Sequence, residues 1–163
     1  MKQLYTSVVV LIALYASAAF AADLPDVKLT PGAANPLVTQ ATLGSTICAT
    51  SVPGKPTWIH NQRPPASYTT KLKIQQLATT YKGSDQNPKD FEEDHLVSIE
   101  NGGHPRDPKN LWPQHWSDPW GAKKKDRLEN AIHRKICSGE LTLKQGQDAL
   151  AHDWIASYKK YVK

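Results

Sequence analysis

The stretch FEEDHLVSIENGGHPRDPKNLWPQ, residues 91–114, sets a run of acids and two histidines between short apolar pieces and turns on a Gly-Gly pair. Phe91 and then Leu96-Val97-Ser98-Ile99 read as strand-like pieces around the acids, Asn101-Gly102-Gly103 is a turn signal, and Asn110-Leu111-Trp112-Pro113 resumes the apolar character. Two short strands joined by a loop of this length make an antiparallel ribbon. Its ionisable groups are either a solvated loop or a site built to hold a metal ion against a phosphate.

Asp94-His95 favours the second reading. At the end of a strand the two side chains diverge, so a carboxylate can ligate a cation while its neighbour reaches a water from another direction. Histidine takes a proton near neutral pH, and a hard divalent cation offsets charge on a phosphoryl group and its leaving oxygen. That is a phosphodiesterase arrangement. It needs a polar side chain to orient the imidazole or pin the loop, and Asn110 is available.

Working outward, residues 69–81 place Leu72, Ile74, Leu77, Ala78 and Tyr81 at spacings that predict an amphipathic helix, ended by Gly83 and Asn87-Pro88. Upstream, Pro53, Pro56, Pro64 and Pro65 exclude a helix from 47–69, and residues 22–45 show no period and read as an extended or flexible segment. Downstream, Ser117-Asp118-Pro119 suits a helix start, after which Leu128, Ile132 and Ile136 step by four to Cys137. Gly139 stops that helix, and Thr142-x-x-Gln145 caps another whose Leu143, Leu150, Trp154, Tyr158 and Tyr161 share a face. The order is helix, ribbon, helix, helix.

Residues 1–21 have the layout of a secretory signal peptide, with small residues at Ala19 and Ala21, and a retained anchor is the alternative. Nothing later is apolar for long enough to span a bilayer, so the mature chain is expected to be secreted or periplasmic, without stable membrane insertion. In that compartment Cys48 and Cys137, 89 residues apart, most simply make one disulfide, which stabilises by about 4 kcal/mol in the chain-entropy model. A reduced buried pair is the other reading; without C-x-x-C spacing a cysteine zinc site is disfavoured. Charge is uneven: residues 22–100 hold 7 basic and 8 acidic side chains, whereas 101–163 hold 12 and 7. An anion would dock in the second half.

Four pieces occur in order: Arg63-Pro64-Pro65 with Tyr68, Glu93-Asp94-His95-Leu96, Asn110-Leu111-Trp112-Pro113, and Lys125-Asp126-Arg127-Leu128-Glu129-Asn130. This set resembles the HNH endonuclease family, and more closely its secreted bacterial members, over residues 46 to about 160. The resemblance implies an α+β fold for 46–163, a ββα-metal (HNH-like) core with additional flanking helices and one disulfide. It implies a metal-dependent endonuclease hydrolysing DNA, with RNA as an open alternative, and little sequence specificity. His95 would be the general base, Asn110 would orient it, and Asp94 would ligate the metal. The family's helix ligand is an Asn or His, but Gly121 and Ala122 stand near that place, so the helix-side ligand falls to Asp126. Mg²⁺ suits the oxygen donors, and Mn²⁺, Zn²⁺ or Ni²⁺ is open. Lys123, Lys124, Lys125 and Arg127, with Arg63, would meet nucleic-acid phosphates. Two other functions stay in play, a catalytically inactive nucleic-acid-binding module of the same fold and an envelope interaction protein.

Overall fold

The computed structural model describes residues 24–83, 85–117 and 119–162; the signal peptide expected at 1–21 lies outside them. The fold is a two-stranded sheet among helices, stapled by a disulfide between Cys48 and Cys137 with Cα atoms 5.5 Å apart. Among the described residues no helix is long and apolar enough to cross a membrane.

The ribbon pairs strands β1 (Phe91–His95) and β2 (Leu111–His115) antiparallel, with Asp94 opposite Trp112 and His95 opposite Leu111. Thus β1 is the acidic run itself. Leu96, Val97 and Ile99, expected as strand, leave it for a 3-10 turn at Ile99–Asn101 and bury their side chains instead. Pro113 is tolerated because β2 has only one neighbour.

Gly102 and Gly103 make the connection possible. Gly102 takes φ +80°, and a Cβ on Gly103 would stand 1.7 Å from the Val97 carbonyl oxygen. Gly103→Ala is expected to cost about 2 kcal/mol by forcing the loop off the ribbon. A denaturant midpoint equal to wild type would refute this.

Helix α1 (Trp58–Gln62) stands within residues 47–69, whose prolines argue against a helix. It is only five residues long and fits between Pro56 and Pro64, with the Thr57 side chain accepting from the His60 amide. Helix α2 (Ala66–Thr79) forms as expected and buries Leu77, whereas Ile74 of the same stripe is half exposed. Polar side chains add to its seating. Gln76 Nε2 donates to the Leu111 carbonyl at 2.9 Å and Lys73 Nζ to that of Phe91 at 2.6 Å.

Helix α3 (Ala122–Cys137) begins at Gly121, later than Ser117-Asp118-Pro119 suggested, and buries Leu128, Ile132 and Ile136. The Thr142–Gln145 capping box opens α4 (Leu143–Ala151). The single C-terminal helix expected there is two: Asp153 restarts the chain as α5 (Trp154–Tyr161), its carboxylate accepting from the Ala156 amide. Leu150 and Trp154 both enter the core with Val97 and Trp112.

The segment 22–45 was expected to be extended or flexible, and from residue 24 onward it is packed. Ala34 bridges Gly103, the Asn35 amide donates to the Gly102 carbonyl at 2.8 Å, and Val38 lies in the core. These contacts lie far apart in sequence, which is why local periodicity did not show them.

Candidate active site

A cavity of about 600 Å³ opens where β1, α3 and the start of α2 converge. Arg63, Glu92, Glu93, Asp94, His95, Glu100, Asp126 and Glu129 line it. Strand β1 supplies the acids and His95 in succession, α3 brings Asp126 and Glu129, and the Pro-rich loop delivers Arg63 at the end of α1.

The imidazole of His95 is held by a backbone group. Its Nε2 lies 3.0 Å from the Pro105 carbonyl oxygen, and because a carbonyl only accepts, Nε2 carries the hydrogen and Nδ1 keeps the lone pair. Burial lowers the pKa of His95, the Lys125 and Arg63 charges act the same way, and the Pro105 bond and Asp94 oppose them. A neutral imidazole with one unprotonated nitrogen has the state a general base needs.

Among the described residues Asn110 makes no hydrogen bond to that ring. Fully buried, it accepts from the Val97 amide at 3.0 Å and donates to the carbonyls of Val97 at 2.9 Å and His104 at 3.0 Å. It pins both ends of the ribbon loop, and Pro105 follows directly on His104. The expected orienting role is therefore indirect, through the carbonyl that holds His95. A backbone acceptor leaves no side-chain signature, so the sequence did not reveal Pro105.

The lysine run divides, because successive residues of a helix point about 100° apart. Lys123 is exposed, and Lys124 lies over the Trp120 ring, 4.9 Å from its centroid. Lys125 was expected to meet phosphates, yet it is 0% exposed. Its ammonium donates to Asp94 Oδ2 at 2.7 Å, to the His95 carbonyl at 2.6 Å and to Glu129 Oε1. Burial opposes this charge, but Asp94 and Glu129 outweigh it and raise the lysine pKa, so Lys125 stays a cation. Arg127 faces a different groove, donating to the Tyr158 hydroxyl at 3.3 Å. Of the five expected phosphate contacts, only Arg63 lines the acidic cavity.

Negative charge exceeds positive here. Glu92 is pushed up to about 7, by burial first and then by the Asp94 and Asp126 charges, and Glu93 up to about 8 by burial and Asp94. Asp126 is raised by burial and Asp94, and Glu100 by burial. Glu93 is 8% exposed, and neither of its carboxylate oxygens has a hydrogen-bond partner among the described residues. An unpaired buried carboxyl that resists ionisation, set among further acids, has the chemistry of a hard-cation ligand. The acids are not drawn into a shell: among the described residues, no group of three or more His, Cys, Asp or Glu side chains stands in metal-holding arrangement. Lys125 holds one oxygen of Asp94.

His115 pairs with Asp85 at 3.3 Å and packs edge-on against Phe91, and His133 contacts the Glu100 carbonyl at 2.7 Å. Neither lines the cavity. Compared with family models, curated proteins and solved structures, the chain matches none.

Proposed function

We propose that this chain is an exported, HNH-like phosphodiester hydrolase that cuts nucleic acid with His95 as general base. The observation that carries the reading is the half-buried imidazole, held on Nε2 by the Pro105 carbonyl beside Asp94 and Arg63 in an acid-lined cavity. Nδ1 of His95 takes a proton from water, the water oxygen bonds to phosphorus, and the phosphorus–oxygen bond to the leaving group breaks. Solvent returns a proton to the departing oxygen. Arg63 binds non-bridging oxygens of the phosphate. Asp94 and Asp126 do not complete a shell by themselves, so a divalent cation between them would take its remaining ligands from water and would supply charge neutralisation at the phosphate when bound.

Plasmid nicking by the mature protein, with EDTA and then with added Mg²⁺ or Mn²⁺, tests the reading. Metal-dependent cleavage that disappears with His95→Ala is expected, and cleavage indifferent to both would overturn it. The Lys125 ammonium on Asp94 favours a second reading, a catalytically inactive nucleic-acid-binding module in which lysine stands where a metal would; it predicts no cleavage under any metal.

The carboxyl shifts give a signature independent of activity. A carboxyl raised from 4.5 to about 8, as Glu93 is, keeps its proton in the fold and releases it on unfolding within that window. Stability therefore falls as pH rises through it. The lowered His95 acts in the opposite sense, only below its ordinary 6.5. In EDTA the thermal midpoint is expected to drop between pH 6.5 and 8. Mn²⁺ should restore roughly 5 °C at pH 8 and much less at pH 6.5, the effect of about 2 kcal/mol in a chain of this size. A midpoint flat in pH would contradict the raised Glu93 carboxyl, and one unmoved by metal would contradict cation binding among these acids.

A further inference from the structure

Helices α3 and α5 enclose a second cavity, of about 540 Å³, lined by Arg127, Asn130, Arg134, Tyr158 and Tyr161. Among the described residues its lining holds two guanidinium groups and no carboxylate, the reverse of the acidic cavity, and Asn130 lines both. The two are neighbours along one helix.

Arg127 and Arg134 lie two turns apart on one stripe of α3, about 10 Å along its axis. Both are exposed, and Arg134 makes no ion pair among the described residues. The tyrosines are half buried, which presets their rings: Tyr158 packs edge-on against Trp120 at 5.7 Å, and Lys160 sits over Tyr161 at 4.7 Å. Cations spaced along a groove with fixed aromatic rings fit a strand whose phosphates meet the arginines and whose bases stack on the rings.

We infer that this groove holds a single-stranded segment of the nucleic-acid substrate next to the point of cleavage, with phosphates on Arg127 and Arg134 and bases against Tyr158 and Tyr161. The inference rests on the nuclease reading for the polymer's identity. One physical reason favours a single strand, and a second favours contacts beside the cut. In a duplex the bases are stacked on one another, so the tyrosines would contribute nothing. The acidic cavity repels a phosphate backbone, so attraction must come from beside it, through phosphates flanking the one being cut. Substrates with unpaired strands should therefore be preferred to duplex.

The test separates the groove from the chemistry. A fluorescein-labelled oligothymidylate is titrated into His95→Ala protein in EDTA, beside Arg134→Ala and Arg134→Lys in the same background. Turnover of bis(p-nitrophenyl) phosphate, too small to reach the groove, is measured for wild type and Arg134→Ala. Expected are about tenfold weaker binding with Arg134→Ala, recovery with Arg134→Lys, and a salt slope shallower by about 0.7, the value of one phosphate contact on a single strand. Duplex should bind more weakly than the oligothymidylate, and small-diester turnover should be unchanged by Arg134→Ala. Equal affinity of wild type and Arg134→Ala, preference for duplex, or no oligonucleotide binding overturns the groove. If wild type fails to turn over the small diester while Arg134→Ala still weakens binding, the hydrolase reading falls and the groove stands. Turnover with unchanged binding has the opposite meaning.

Discussion

His95→Ala is expected to lower kcat/KM for phosphodiester cleavage by roughly 10²–10⁴-fold, the usual contribution of a positioned general base. The loss should fall on kcat, with KM little changed, because proton abstraction develops only in the transition state. Folding should survive, since among the described residues the side chain's one hydrogen bond is with the Pro105 carbonyl, and the loop is held separately by Asn110. A circular-dichroism melt run beside the nicking assay checks this. The wild-type rate should keep its acidic limb below pH 6.5, because burial holds the imidazole neutral at pH values where an ordinary histidine gains a proton. A well-folded His95→Ala protein cutting at the wild-type rate would remove His95 from the chemistry.

Lys125→Met should destabilise the fold by about 3–5 kcal/mol, the cost of removing one partner from a buried ionic cluster. Methionine fills much of the same volume, so packing changes little, but the Asp94 and Glu129 carboxylates lose their shared ammonium. Asp94 is only 13% exposed and cannot recover full solvation. Urea denaturation at pH 8, where the loss is largest, reads the effect, and a midpoint near wild type would show that Lys125 does not hold the two acids. The same variant distinguishes the two functional readings. If a divalent cation shares Asp94 with the lysine, Mn²⁺ will stabilise Lys125→Met more than wild type. If the lysine has replaced a metal in an inactive module, Mn²⁺ will leave wild type unaffected and rescue only the variant.

Elements that depend on neighbours in sequence were readable from residues alone. The ribbon followed from apolar pieces flanking a Gly-Gly turn and the Thr142 cap from a box closed within four residues, whereas the disulfide between residues 89 apart was expected only from the cysteine count and the signal-peptide layout read at residues 1–21. The exact strand was less accessible, because the acids of β1 look unlike strand residues. They are extended because β2 pairs with them and because Leu96 and Val97 are drawn into a core built by α3, α4 and α5.

The types of residue at the candidate site, Asp94 beside His95 with acids and cations on a following helix, were determined by the sequence by itself. Tertiary structure alone decided which of them meet. Helical rotation turned Lys125 inward onto Asp94 while Lys123 remained outside, and directed Arg127 to a neighbouring groove. The backbone carbonyl that sets the His95 tautomer belongs to Pro105, brought there by a loop that Asn110 ties at both ends. A side chain's identity is written locally, but its protonation and partners depend on burial and on charges that only the folded chain brings within a few ångströms.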